Sequence, residues 1–142
     1  MKDEKILIGS DHGGYSLKNT IIEHLKKFDF ELVDVGCYST DSCDYPVIAK
    51  EVAKKVLEDN CKGILVCGTG LGMSIVANRF EGIRASVCTN EYMAKLTRMH
   101  NNSNILCLGE RVIGKGVALD IVDIWLKTPF EGGRHLKRIE MI

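Results

Sequence analysis

Short, continuous apolar runs recur along this chain, and each is followed by a segment with helical periodicity. The runs are KILIG (5–9), ELVDVG (31–36), GILVCG (63–68), IRASVC (83–88) and NILCLG (104–109). The predicted helices cover residues 15–28, 46–59, 71–79, 90–101 and 115–127, and the first places Leu17, Ile21, Ile22, Leu25 and Phe28 on one face. Strands that are apolar throughout are buried on both faces. The pattern therefore predicts an α/β protein, a Rossmann-like three-layer α/β/α sandwich with a five-stranded parallel sheet.

Length and charge narrow the class of protein further. A chain of 142 residues fits a single domain, residues 1–142, that buries roughly 70% of the surface its unfolded form exposes. Nineteen basic residues balance nineteen acidic ones, so no charged field favours nucleic acid or an anionic membrane, and a small-molecule partner is expected. The N-terminus has no secretory pattern and no stretch is long and apolar enough to span a bilayer, which predicts a cytoplasmic protein.

The six cysteines include no C-x-x-C pair, and we expect reduced thiols. Cys88 and Cys107 lie inside apolar runs and are interpreted as small buried residues. His24, in the middle of the first helix, is interpreted as a surface residue.

Three strand-end loops carry polar or reactive residues: GSDHGG (9–14), CGTGLG (67–72) and GERVIG (109–114). In parallel sheets ligands bind beyond the carboxyl ends of the strands, near the point where strand order reverses. The loop at 67–72 fails the dinucleotide fingerprint and the cysteine-phosphatase pattern, because Met73 stands where each needs another residue, and the chain has no P-loop triplet. What remains is a set of glycines whose backbone N–H groups can turn inward and bind an anion.

Cys67 stands directly before these glycines. Inward N–H groups stabilise a thiolate over a thiol, so this residue can be a nucleophile or a base; the alternative is a small buried residue at a strand end. Thr69 is either a turn residue or a hydroxyl donor to a substrate. Asp11 is either an N-cap for the following helix or, with His12 beside it, part of an acid–base or anion-binding site.

Basic residues near the C-terminus form a second candidate site. If EGGRHLKR (131–138) is helical, Arg134 and Arg138 point to one side and can grip a phosphate, and Arg111 can join them from the loop after the fifth strand. Lys137 is interpreted as solvated. His100 lies near the end of the fourth helix, where it is either an acid–base group or part of a C-cap.

The motifs GSDHGG, DYP (44–46), CGTGLGMSIVANR, GIRA (82–85), HNNSN (100–104) and EGGRH (131–135) together resemble the ribose-5-phosphate isomerase B family. The resemblance covers nearly the whole chain. That family includes allose-6-phosphate isomerases and the subunits of galactose-6-phosphate isomerase. The resemblance implies an aldose–ketose isomerase of the non-oxidative pentose phosphate pathway, interconverting ribose 5-phosphate and ribulose 5-phosphate. One branch of the family uses a glutamate as its base, and that position here is Met73.

The resemblance also implies the roles of individual residues. Cys67 would be the general base that moves a proton between C1 and C2 through a cis-enediolate, and Thr69 would hydrogen-bond or pass a proton among the substrate oxygens. His100, helped by Asp11, would open the sugar ring, and Asn101 would orient the hydroxyls. The backbone of the glycine loop would form the oxyanion hole: Gly68, Thr69, Gly70, Leu71 and Gly72. The phosphate would contact His12, Arg134, Arg138 and Arg111, and Tyr45 would line the pocket.

The same resemblance implies a homodimer, or a dimer of dimers, with active sites at the subunit interface. His100 and Asn101 would then act on a cysteine of the other chain. No cofactor is implied, since no hydride is transferred, and the Cys and His spacings suggest no metal site. Two rival functions stay open: a non-catalytic sugar-phosphate or nucleotide sensor, and a phosphocysteine carrier or thiol phosphatase.

Overall fold

A computed structural model describes residues 4–142. Its five strands form one sheet of order β2-β1-β3-β5-β4 in which every neighbouring pair is parallel. The strands are β1 Glu4–Ser10, β2 Phe30–Gly36, β3 Lys62–Cys67, β4 Ala85–Val87 and β5 Ile105–Gly109. The helices are α1 Tyr15–Leu25, α2 Tyr45–Asp59, α3 Leu71–Ala77, α4 Glu91–Asn101, α5 Lys115–Lys127 and α6 Arg134–Ile139, and a 3₁₀ turn covers His12–Gly14.

Helices cover both faces of the sheet. In β1, Ile6 and Ile8 face a core shared with α1 and α5, whereas Leu7 faces a core shared with α2 and α3. All three side chains are at most 1% exposed. The parallel sheet buried on both faces, and with it the predicted α/β/α architecture, is therefore confirmed.

The sheet has two edges that matter for the site. We call the end at which the strands terminate, at residues such as Cys67 and Gly109, the carboxyl edge. The end at which they begin, at residues such as Lys62 and Ile105, is the amino edge.

The fourth strand is shorter than predicted. The Ile83 N–H donates to the Phe80 carbonyl, and the Arg84 N–H donates to the Asn104 side chain. Because these two donors are already used, pairing with β5 begins only at Ala85.

The predictions for two residues of the first helical segment are wrong. The helix ends at Leu25 in a turn, which leaves Phe28 half exposed instead of in the core. His24 is half-buried, and its Nε2 lies 2.7 Å from a carboxylate oxygen of Asp123 on α5. The C-terminal segment is helical from Arg134. This meets the condition under which Arg134 and Arg138, four residues apart, point to one side.

Lys18 lies on the apolar face of α1 and is completely buried. Its ammonium donates to Asp34 at 2.7 Å and to the Cys37 carbonyl, and it lies over the rings of Tyr15 and Tyr38. A buried charge is stable only with such partners. Lys18 therefore fastens the loop after β2 to the body of the domain.

No helix among residues 4–142 combines the length and apolarity needed to cross a membrane.

Candidate active site

The reversal of strand order lies between β1 and β3, since β2 pairs on one side of these strands and β5 and β4 follow on the other. The loops after the two strands are in contact. A Cβ placed on Gly13 would lie 3.4 Å from the Gly68 backbone nitrogen. The two glycine loops thus meet at the crevice where sheets of this kind bind ligands.

Asp11 is buried and holds its own loop together. Its Oδ1 accepts the N–H groups of Gly13 at 2.9 Å and Gly14 at 3.1 Å, and its own N–H donates to the Val66 carbonyl. The N-cap interpretation is confirmed, although the element capped is the 3₁₀ turn that precedes α1. One carboxylate oxygen is committed to this cap.

His12 is exposed beside the same crevice, and its orientation is set by a loop that follows β2. Its Nδ1 accepts the Cys43 N–H at 3.1 Å. An accepting Nδ1 carries no proton, so the hydrogen of the neutral ring is on Nε2. His12 therefore presents an N–H donor, suited to an anionic ligand.

Cys67 is the last residue of β3 and is 6% exposed. Its sulfur accepts the Gly70 N–H at 3.0 Å. A backbone N–H donates a stronger hydrogen bond to a charged acceptor than to a neutral one. The turn of the glycine loop thus aims a backbone donor at the Cys67 sulfur.

Other buried thiols lie in different surroundings. Burial raises the pKa of Cys88 to about 12 and raises that of Cys107 further. Both therefore stay protonated at neutral pH, and their interpretation as buried apolar residues is confirmed.

Some backbone N–H groups of the glycine loop have an acceptor in the described part of the chain, and others have none. The Gly70 N–H faces the Cys67 sulfur, and the Leu71 N–H donates to the Thr69 hydroxyl at 3.2 Å. Within residues 4–142 the structure gives no acceptor to the N–H of Gly68 or of Thr69. Gly70 has φ +82°, a left-handed conformation that glycine adopts without a steric penalty.

Tyr45 and Arg111 flank this loop. The Tyr45 ring lies against Gly72, where an added Cβ would come within 2.6 Å of a ring carbon. The Arg111 N–H donates to the Gly68 carbonyl at 3.0 Å, and its guanidinium lies 3.3 Å from the position of a Cβ on Gly68. An aromatic face and a cation therefore border the loop that starts at Cys67.

Two residues of this region are missed by the sequence analysis. Glu110 accepts the Leu17 N–H at 2.8 Å, which ties the loop after β5 to the start of α1. Lys18 fastens the loop that orients His12. A lysine on the apolar face of a predicted helix is a signal for the second residue, but no sequence signal marks Glu110.

The other predicted residues lie at the opposite edge of the sheet. Helix α4 starts at the carboxyl edge after β4 and runs back, so His100 and Asn101 at its end lie at the amino edge. The Arg84 Nε, just before β4, donates to the carbonyls of Asn101 at 2.9 Å and Asn102 at 3.1 Å. The five residues of β5 rise about 3.3 Å each, which puts roughly 16 Å between the two edges.

Helix α6 belongs to the same distant group. Its His135 is buried and stacks on His100 with ring centroids 4.0 Å apart and planes 12° from parallel. Arg134 and Arg138 are exposed on this helix. Within one chain they therefore lie with His100, whereas Arg111 and His12 lie with Cys67. Asn102, in the left-handed conformation, caps α4.

A metal site needs ligand atoms whose lone pairs point at one position. A nitrogen of His100, a nitrogen of His135 and a carboxylate oxygen of Glu131 lie within 4.8 Å of one another. The two imidazoles are nearly parallel, however, and each lone pair lies in its own ring plane. In this arrangement the lone pairs do not meet at one ion.

The family model described as Ribose/Galactose Isomerase matches residues 6–142. The chain therefore belongs to the ribose/galactose isomerase family. Ribose-5-phosphate isomerase B of Escherichia coli strain K12 is 48% identical over 140 residues, which cover 98% of this chain and 94% of that protein. The family and the fold predicted from the sequence are thus confirmed.

Solved structures of ribose-5-phosphate isomerase B have the same architecture as this family member. The Clostridium thermocellum protein superposes with a TM-score of 0.95 at 56% identity, covering 96% of this chain and 93% of that one. The Mycoplasma genitalium protein, solved with bound ribulose-5-phosphate, gives a TM-score of 0.95 at 43% identity, covering 99% and 95%.

Proposed function

We propose that this isomerase interconverts ribose 5-phosphate and ribulose 5-phosphate, in the cytoplasm, as a step of the non-oxidative pentose phosphate pathway. The observation that carries the proposal is the Gly70 N–H aimed at the Cys67 sulfur, in the crevice between β1 and β3. The similarity to relatives named for this substrate, one solved with ribulose-5-phosphate bound, supports it.

In the proposed reaction, the Cys67 thiolate removes the proton from C2 of the open-chain aldose and becomes a thiol. The electron pair moves through C1 to the carbonyl oxygen and gives a cis-enediolate. Proton transfer from O2 to O1, through the Thr69 hydroxyl, allows C2 to become the carbonyl. The thiol then returns its proton to C1 and yields the ketose. A positioned base of this kind contributes about 10² to 10⁴ in rate.

The negative oxygen of the intermediate needs fixed donors. We assign this task to the free N–H groups of Gly68 and Thr69, with Gly72 beside them, because the N–H groups of Gly70 and Leu71 already have acceptors. This assignment keeps three of the five backbone donors that the resemblance implies for the oxyanion hole. One donor of this type contributes about 3 to 4 kcal/mol to stabilising a transition state.

The sugar phosphate needs more than one edge of one sheet supplies. His12 and Arg111 would contact the phosphate from the chain that provides Cys67, and Tyr45 would cover the sugar. The group at the amino edge lies roughly 16 Å away, so His100, Asn101, Arg134 and Arg138 would come from a second copy. We therefore propose a homodimer, alone or paired into a tetramer, whose active sites lie at the subunit interface.

Ring opening is assigned to the same shared site. The imidazolium of His100 would protonate the ring oxygen as its bond to C1 breaks, while Asp11 of the first chain assists by accepting the proton of the anomeric hydroxyl. Asn101 would orient the remaining hydroxyls. No step calls for a metal ion or a nucleotide cofactor.

The choice of sugar is tested by comparing ribose 5-phosphate, allose 6-phosphate and galactose 6-phosphate. The readout is kcat/KM, with the ketose product identified by NMR in the presence of a chelator. We expect ribose 5-phosphate to give the highest value, with the chelator without effect. A higher kcat/KM for either hexose phosphate would move the assignment to that sugar, and no ketose from any of the three would contradict the proposed reaction.

The Gly70→Ala variant tests the donor to Cys67. An added methyl group would lie 3.1 Å from the Leu108 backbone, in a conformation that costs other residues about 1 to 2 kcal/mol. The turn must shift, and the N–H leaves the sulfur. We expect kcat to fall about 10²-fold, as for loss of one fixed donor in comparable sites.

The matched control is Gly116→Ala, on α5, where an added Cβ meets nothing within 4 Å. It should leave kcat unchanged. Equal kcat values for the two variants, both folded by circular dichroism, would show that the N–H of Gly70 is not needed.

A further inference from the structure

A stacked pair of imidazoles joins α4 to α6. His100 and His135 lie face to face at 4.0 Å, 12° from parallel. His100 is half-buried and so keeps an open side, whereas His135 is 7% exposed. The buried ring is thus a support and the open ring is the one that a ligand can reach.

The supporting ring is itself held. Its Nε2 lies 3.2 Å from a carboxylate oxygen of Glu131, four residues earlier, in the segment before α6. The Glu131 N–H donates in turn to the Met99 carbonyl, directly before His100. A chain of contacts therefore runs from α4 through Glu131 to His135 and back to the His100 ring.

We propose that His135 and Glu131 are positioning residues for ring opening: Glu131 fixes the His135 ring, and this ring sets the plane of the His100 imidazole. The inference rests on the proposed role of His100 as the acid that opens the sugar ring. Neither residue touches the substrate. A proton donor must point along the line to the atom it protonates, and an imidazole free to rotate meets that condition in only part of its orientations.

The arrangement also connects two parts of the shared site. Arg134, one of the residues proposed to hold the phosphate, directly precedes His135 in the first turn of α6. The first turn of α6 would therefore carry both Arg134, which contacts the phosphate, and His135, which orients the imidazole of His100 at the sugar ring.

The chemistry of the ketose separates ring opening from proton transfer at carbon. Ribulose 5-phosphate cannot close to a furanose, because its C5 oxygen carries the phosphate. Exchange of its C1 hydrogen with D₂O therefore needs Cys67 but no ring step. Turnover of cyclic ribose 5-phosphate needs both.

The test compares His135→Ala, His135→Phe and Glu131→Gln with Lys137→Ala, an exposed position on the same helix. We expect His135→Ala to lower kcat for ribose 5-phosphate about tenfold or more, part of the contribution of a general acid, while C1 exchange stays within about twofold of wild type. His135→Phe keeps a stacking ring and should recover most of the lost kcat. The kcat of Glu131→Gln should lie between those of His135→Ala and His135→Phe, and the kcat of Lys137→Ala should equal that of the wild type.

Two results would overturn the inference. Equal losses in turnover and exchange would show a general structural defect, and unchanged turnover in His135→Ala would show that the stack is not needed. A failure of the proposed function looks different: wild-type enzyme would then exchange no C1 hydrogen, or His100→Ala would turn over ribose 5-phosphate at the wild-type rate.

Discussion

Replacing Cys67 with alanine is expected to lower kcat/KM for ribose 5-phosphate by about 10² to 10⁴, the contribution of a positioned base. Binding should be nearly intact, because the thiol contacts a carbon-bound proton and not the phosphate. We expect the Kd for ribulose 5-phosphate, measured by calorimetry, to stay within a few-fold of the wild-type value. Cys67→Ser should lose nearly as much activity, since a hydroxyl ionises far less readily than a thiol.

The matched control is Cys61→Ser, which makes the same chemical change at the amino edge. It should retain full activity. A Cys67→Ala protein that turns over at more than about one tenth of the wild-type rate would remove Cys67 from the role of base.

The same variants separate the two rival functions. A non-catalytic sensor would show no turnover even in the wild-type protein, so replacing Cys67 could not lower it. A phosphocysteine carrier would gain the mass of a phosphoryl group on incubation with a phosphodonor, which intact-mass measurement detects. We expect lost turnover, retained binding and an unchanged mass.

The fold was predictable because its local signals agree. The central strands β1, β3 and β5 contain continuous apolar runs, and α2 and α4 begin at clear signals, Pro46 in the first turn of α2 and the Asn90 cap of α4. Errors appear where hydrogen bonds specific to this chain intervene. The short β4 follows from the side chain of Asn104, twenty residues away from Arg84, and Phe28 leaves the core because α1 ends early in a turn.

The sequence predicted which strand-end loops lie together, but not the hydrogen bonds within them. The loops that carry Asp11, His12 and Cys67 meet as predicted, because a parallel sheet brings the loops at the carboxyl ends of its strands together. Neither the engaged N–H groups of the glycine loop nor the stacking of His135 on His100 leaves a sequence signal, since both depend on the path of the backbone between residues far apart in the chain.

Topology is the reason to expect a shared active site. Cys67 ends a strand, and His100 ends a helix that runs antiparallel to the strands, so one chain holds them at opposite edges of its sheet. The proposed two-fold dimer would place the amino-edge group of each copy beside the carboxyl edge of the other.

Mixing two inactive proteins tests this central claim most directly. Cys67→Ala and His100→Ala chains are coexpressed with different tags in equal amounts, and activity is measured on the total pool. In a heterodimer one site carries both substitutions and the other carries neither. With half of the dimers mixed, the account predicts roughly one quarter of the wild-type activity per chain. Activity no greater than the average of the two parent proteins, in a pool shown by tandem purification to contain heterodimers, would contradict it.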